Sequence, residues 1–186
     1  MTLWRNGPKR LFDLAVAGLG LAFFGLPMAW IAWRIRRELG PPVLFQQTRI
    51  GTGGKPFVIL KFKTMAEDGT IGPFARRLRG AALDELPQLV HIFLGQMSFV
   101  GPRPLVPEEL QELDRSPGAR RRFSVRPGLT GLAQVRSEKA PPLPKRLRWD
   151  LAYVRECSLR LDIRILLESV GISLRGAWER ANAPAD

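Results

Sequence analysis

Between Leu14 and Trp33 the chain reads LAVAGLGLAFFGLPMAWIAW, without one charged side chain. As a straight helix that stretch is about 30 Å long, the thickness of a bilayer's hydrocarbon core. A cleaved export signal fits poorly. The run is long, and Trp33-Arg34-Ile35-Arg36-Arg37 follows it in place of a small-residue cleavage site. A soluble helix apolar on every side would need more protein around it than 186 residues supply. The flanks decide how a membrane helix would sit. Arg5, Lys9 and Arg10 precede the run, and Arg34, Arg36 and Arg37 follow it. Cations are retained on the cytoplasmic side, so both ends favour the same face. A straight span would export one cluster, whereas a helix that enters one leaflet, bends and returns keeps both. Pro27, two residues after Gly25, removes a backbone donor inside the run and is the expected membrane break. Asp13, at the entrance, is expected to pair with Lys9 or Arg10 at headgroup level. Residues 1–39 therefore read as a re-entrant membrane anchor and residues 40–186 as a compact domain on the cytoplasmic face.

A net charge of +12 calls for an anionic partner: nucleic acid, anionic membrane lipids or phosphorylated small substrates. Single-stranded nucleic acid is gripped by aromatics interleaved with cations. Trp4, Trp30, Trp33, Trp149 and Trp178 instead lie in or beside apolar segments, as interfacial anchors do. The competing reading is a membrane-anchored basic protein that binds nucleic acid or lipid without catalysis. Cys157 is the single cysteine, so no internal disulfide forms, and no Cys/His cluster suggests structural zinc.

After Gly40-Pro41-Pro42 the pattern changes to a mostly helical α+β body. Val43–Gly51 and Pro56–Met65 are apolar, partly alternating and joined by Gly51-Thr52-Gly53-Gly54, which predicts a β-hairpin. Met65 to Arg76 reads as a polar loop. Leu86, Leu89, Val90, Phe93, Leu94 and Met97 recur at helical spacing and predict a helix over Leu83–Met97, with Pro87 in its first turn. A short helix is expected over Pro107–Leu113, and a strand over Leu132–Val135 after the tight loop Arg126–Gly131. Lys145–Cys157 reads as a further helix. The basic, apolar stretch Leu159–Trp178, which carries Arg160, Arg164 and Arg175 with Arg180 just beyond, suits an amphipathic helix on a membrane surface or one packed on the core.

Asp84-Glu85 opens the predicted helix. Consecutive helical residues point about 100° apart, so these two carboxylates suit two different jobs. Ordinary N-terminal capping is the plainer reading. Arg76, Arg77 and Arg79 precede the pair, Lys61 and Lys63 lie on the neighbouring strand, and Arg103 sits between two prolines in Gly101-Pro102-Arg103-Pro104. Carboxylates among cations stay ionised and can serve as nucleophile or magnesium ligand. Arg103 can clamp a phosphate bidentately or close a turn. Arg126-Pro127-Gly128-Leu129-Thr130-Gly131 repeats the pattern of a cation followed by glycines that let backbone N–H groups approach an anion. His91 falls within an apolar helix and reads as a core histidine. Asp150, among Lys145, Arg146 and Arg148, is a salt-bridge partner or part of the site.

In order along the chain, KRLFD (9–13), RIGTGGKPFVILKFKTM (49–65), LDELPQLVHIFLGQMSFVGPRP (83–104), RPGLTGLAQV (126–135) and the RWDLAYV and LDIRILL segments (148–154, 161–167) resemble the bacterial sugar transferases, the monotopic phosphoglycosyl transferases. The resemblance implies a re-entrant membrane helix, a catalytic face on the cytoplasmic side of the bacterial inner membrane and a magnesium-dependent reaction in two steps. It makes Asp84 the nucleophile toward a nucleoside diphosphate sugar, with polyprenyl phosphate as acceptor. Glu85 would hold magnesium with Asp84 or assist proton transfer. Lys61, Arg79, Arg103 and Asp150 match positions around the phosphates, and Arg126 would contact the nucleotide. The chain departs from the family pattern at a shortened Glu67–Arg76 loop, at Ala81-Ala82, at Leu132 and at Lys63.

Overall fold

The computed structural model describes residue 4, residues 7–137 and residues 141–175. Arg5, Trp178 and Arg180 lie outside the described residues. The apolar run becomes a single helix, α1 (Pro8–Leu39), with Pro27 inside it and Gly40, at φ 68°, closing it. Its buried residues Lys9, Asp13, Ala17, Ile31 and Ile35 recur at helical spacing on one stripe. Leu21, Phe24 and Met28 continue that stripe against the body. The opposite side is bare: Leu19, Phe23 and Leu26 are 72%, 76% and 85% exposed.

Both ends of α1 are fastened to the body. Lys9 pairs with buried Asp162, which also accepts from Tyr153 Oη (2.7 Å) and Trp4 Nε1 (2.9 Å). Arg10 donates to the carbonyls of Ile92 (2.6 Å) and Phe93 (2.7 Å). Asp13 does not pair with Lys9 or Arg10 as the sequence suggested. It is fully buried and accepts from Ser98 Oγ and the Phe99 N–H, both at 3.1 Å. Those two cations find carbonyls and a carboxylate on other elements, which leaves Asp13 to cap unpaired donors at a strand edge. At the far end, Ile31 and Ile35 pack with Phe62 and Leu78.

The expected hairpin forms from β1 (Leu44–Ile50) and β2 (Pro56–Phe62), antiparallel, with Phe45 opposite Lys61. The segment read as loop up to Arg76 turns helical earlier, at α2 (Pro73–Gly80), because Pro73 suits the first helical position. The helix expected over Leu83–Met97 is shorter and split. A 3-10 turn spans Leu83–Glu85, and α3 (Gln88–Leu94) follows Pro87. Leu86 and Pro87 keep helical angles, but Pro87 has no N–H to continue the hydrogen-bond ladder, while Gly95, at φ 83°, caps the end.

β3 (Ser98–Val100) and β4 (Gly128–Thr130) form a small parallel pair that alternation did not reveal. Between them come α4 (Glu109–Asp114) and a 3-10 segment, Ala119–Ser124. The strand expected at Leu132–Val135 is instead helix α5 (Leu132–Arg136). The strand ends at Thr130 because the glycines on either side of it, rather than the apolar residues after it, allow the backbone to approach β3. A Cβ on Gly128 would lie 2.1 Å from the Gly101 nitrogen, and one on Gly131 would lie 2.2 Å from the Gly101 oxygen. The chain finishes with α6 (Leu143–Glu156) and α7 (Leu159–Leu174). α7 buries Asp162, Ile165 and Ser169 and leaves Leu167 and Leu174 69% and 84% exposed, so it both packs on the core and shows an apolar outer face.

Candidate active site

Asp84 and Glu85 sit where the chain leaves α2. Ala82 takes the left-handed conformation at φ 58°, a strained choice for a side chain with a Cβ, and swings the next residues into the 3-10 turn. The two carboxylates then part. Asp84 is half-buried and lines a cleft of about 340 Å³ with Lys61, Lys63 and Arg79, whose other wall includes Phe45, Phe62 and Met65. Glu85 is buried, accepts a hydrogen bond from Lys61 Nζ and lies 4.0 Å from Arg103.

Environment separates their charges as well. Burial pushes the Asp84 carboxyl up, the adjacent Glu85 charge pushes it further, and Lys61 and Arg79 pull it back, leaving it at about 6. For Glu85 burial also pushes upward, but Lys61, Arg103 and Arg49 outweigh it and hold the group below its ordinary value. At neutral pH both are therefore ionised. Glu85 is locked in an ion pair, and Asp84 faces the cleft.

The remaining expected site residues fall into two groups. Lys61 and Arg79 line the cleft with Asp84, and Arg103 lies on the Glu85 side. Asp150 does not line the cleft. It forms a buried ion pair with Arg122 (2.7 Å), and Arg122 also donates to the Arg103 carbonyl (2.8 Å). Asp150 thus braces the proline-flanked loop from behind. Arg126 Nε donates to the Gly95 carbonyl at 2.9 Å, tying its loop to the end of α3. Backbone pairing engages part of that loop and of the Gly101 loop opposite it. Gly101 N–H donates to Thr130 O and Gly128 N–H to Pro102 O. Pro27 lies on α1, within the exposed part of the run. His91 is a core histidine: it accepts from the Leu60 N–H (3.2 Å) and, on its other nitrogen, meets Gln96 Oε1 (2.7 Å).

Sequence reasoning missed Arg122, Gln88 and Arg49. Arg122 stands in an Arg-rich stretch with no periodicity, and only the fold singles it out. Gln88 follows the acidic pair by one helical turn, a spacing that could have flagged it.

Magnesium prefers oxygen ligands and is often held by one or two carboxylates together with substrate phosphates. No cluster of three or more His, Cys, Asp or Glu occurs among the described residues. Asp84 offers a carboxylate at the cleft, and Glu85 lies next to it in an ion pair with Lys61, so the pair fits a cation that draws most of its ligands from substrate.

Comparison with known proteins gives this carboxylate pair and its cationic cleft a family. The profile of the bacterial sugar transferase family matches residues 4–176, so the chain belongs to that family. It is 40% identical over 181 residues to the UDP-glucose:undecaprenyl-phosphate glucose-1-phosphate transferase of Caulobacter vibrioides, covering 87% of this chain and 68% of that protein. It is 36% identical to the uncharacterized sugar transferase EpsL of Bacillus subtilis, covering 87% of this chain and 85% of that one. It is 33% identical to the UDP-N-acetylgalactosamine-undecaprenyl-phosphate N-acetylgalactosaminephosphotransferase of Aeromonas hydrophila, covering 92% of this chain and 45% of that one.

Removing Lys61 tests the ion pair. Lys61→Met leaves Glu85 buried without its main partner and should destabilise the protein by about 3 kcal/mol. Adding Glu85→Gln should recover at least half of that loss. Denaturant unfolding of the two single variants and the double variant measures the coupling, and additive effects would contradict it.

Proposed function

We propose that the chain transfers a sugar 1-phosphate from a nucleoside diphosphate sugar, UDP-linked as in the names of the Caulobacter and Aeromonas relatives, to polyprenyl phosphate through a covalent aspartyl phospho-sugar on Asp84. The observation that carries this reading is the division between neighbours: Asp84 faces a cationic cleft while Glu85 is held by Lys61. A solely lipid- or nucleic-acid-binding protein has no use for that division.

In the first step an Asp84 oxygen attacks the sugar-bearing phosphorus. An acyl-phosphate bond forms, the diphosphate P–O bond breaks, and its electron pair leaves on the nucleoside monophosphate. In the second step an oxygen of polyprenyl phosphate attacks the same phosphorus, and the Asp84 carboxylate departs. Lys61, Lys63 and Arg79 line the cleft and offset charge on the phosphates, with Arg103 on the Glu85 side. Asp150 and Arg122 keep the Arg103 loop in place through its carbonyl. Asp84 and Glu85 would hold magnesium together with substrate oxygens, and it would supply further charge neutralisation when bound.

The same reading sets the chain on the cytoplasmic face of the bacterial inner membrane, with α1 re-entrant at Pro27. Support comes from α1 being tied at both ends to one body, through Lys9 and Asp13 at one end and Ile35 at the other. The bare apolar sides of α1 and α7 would meet lipid, and the arginines beside them would meet anionic headgroups.

Incubated with UDP-sugar and magnesium but no lipid acceptor, the wild-type chain should release close to one nucleoside monophosphate per protein. Asp84→Asn should cut that release by about 10³ or more. Release that needs the acceptor lipid would contradict a covalent intermediate. For topology, cysteines placed at residues 8 and 39 should both react with an impermeant thiol reagent from the cytoplasmic side alone. Reaction of residue 8 only from the periplasm would mean a spanning helix.

A further inference from the structure

A second, smaller cavity lies beside the cleft, lined by Glu85 but not by Asp84. Arg49, Lys61, Gln88 and Arg103 also line it, and its volume of about 10 Å³ admits roughly one oxygen atom. Gln88 is 2% exposed, and its Nε2 has no hydrogen-bond partner among the described residues. Arg49 Nε is likewise buried without a partner, although the Nη atoms of Arg49 donate to Pro104 O (3.2 Å) and Gln47 Oε1 (2.6 Å). An unmet buried donor costs free energy, and two of them on residues that line one cavity point to an acceptor there.

The charge around the cavity says what kind of acceptor. Three cations line it against Glu85, and Glu85 is already engaged by Lys61. Burial, and then the neighbouring Arg103 charge, push the Arg49 guanidinium down to about 10, although Glu109 and Glu85 pull it back. A water molecule would satisfy Gln88 and leave this surplus of positive charge in place. An anionic oxygen answers both.

We propose that this cavity is a phosphate subsite, in which Gln88 Nε2 and Arg49 Nε donate to one phosphate oxygen. Lys61 lines both this cavity and the Asp84 cleft, so the subsite adjoins the proposed reacting centre. The oxygen comes from the nucleotide's phosphate or from the lipid phosphate, and the inference rests on the transferase reading for that choice.

The test is a titration of the full chain, solubilised in detergent, with inorganic phosphate, followed by the thermal midpoint. Wild type should show a saturable rise. Gln88→Leu should bind phosphate at least tenfold more weakly, with a phosphate-free midpoint equal to wild type or higher, since it removes an unmet donor. Gln88→Glu supplies a fixed carboxylate in the cavity and should also weaken phosphate binding at least tenfold. Competition then assigns the source: displacement of phosphate by uridine monophosphate marks the nucleotide, and displacement by undecaprenyl phosphate marks the lipid. No saturable binding in wild type, unchanged phosphate affinity in Gln88→Leu, or a fall in that variant's phosphate-free midpoint overturns the proposal. Failure of the transferase reading would appear separately, as no nucleoside monophosphate release by a wild type that still binds phosphate.

Discussion

A carboxylate buried beside another carboxylate stays charged only if a cation is held against it. Lys61 is that cation, and much of the body serves to place it. It lies on β2, in register with β1, and the preceding residue of its strand, Leu60, donates its N–H to His91 on α3. His91 is fixed in turn by Gln96. The strand that carries the ammonium and the helix that follows the acidic pair are thereby locked together by a histidine that needs no contact with substrate. With Glu85 engaged by Lys61, Asp84 is left as the carboxylate that faces the cleft.

The same economy appears behind the site. Asp150 and Arg122 neutralise each other in the core, and a further N–H of the guanidinium donates to the Arg103 carbonyl. Three glycines let the Arg103 and Arg126 loops meet backbone to backbone, where any side chain would collide. The long apolar helix is built into this frame, since its stripe from Lys9 to Ile35 reaches α7, β3 and α3 at one end and Phe62 and Leu78 at the other.

Much of this was legible in the sequence. The uncharged run, the Gly-rich hairpin and the acidic pair among cations all carry strong local signals, and the structure brings Lys61, Arg79 and Arg103 near Asp84 and Glu85. Other features were hidden for physical reasons. A run apolar on every side does not show which stripe is buried, so the inward roles of Asp13 and Lys9 could not be read from it. The periodicity of Leu83–Met97 masked the break that Pro87 imposes. β3 and β4 are three residues each and parallel, too short to alternate, and Gly101, Gly128 and Gly131 beside and within them allow the close backbone approach. Asp150 was rightly singled out as charged among cations, but its partner lies 28 positions away in a stretch with no pattern.

The central claim is that Asp84, and not its neighbour, becomes the covalent carrier. The most direct measurement is the mass of the protein's own peptides after brief reaction with UDP-sugar and magnesium in the absence of lipid acceptor. The account predicts that the peptide containing both acids gains one phospho-sugar and that fragmentation assigns it to Asp84. A phospho-sugar on Glu85, or an unmodified peptide in enzyme that has released its nucleoside monophosphate, would contradict it.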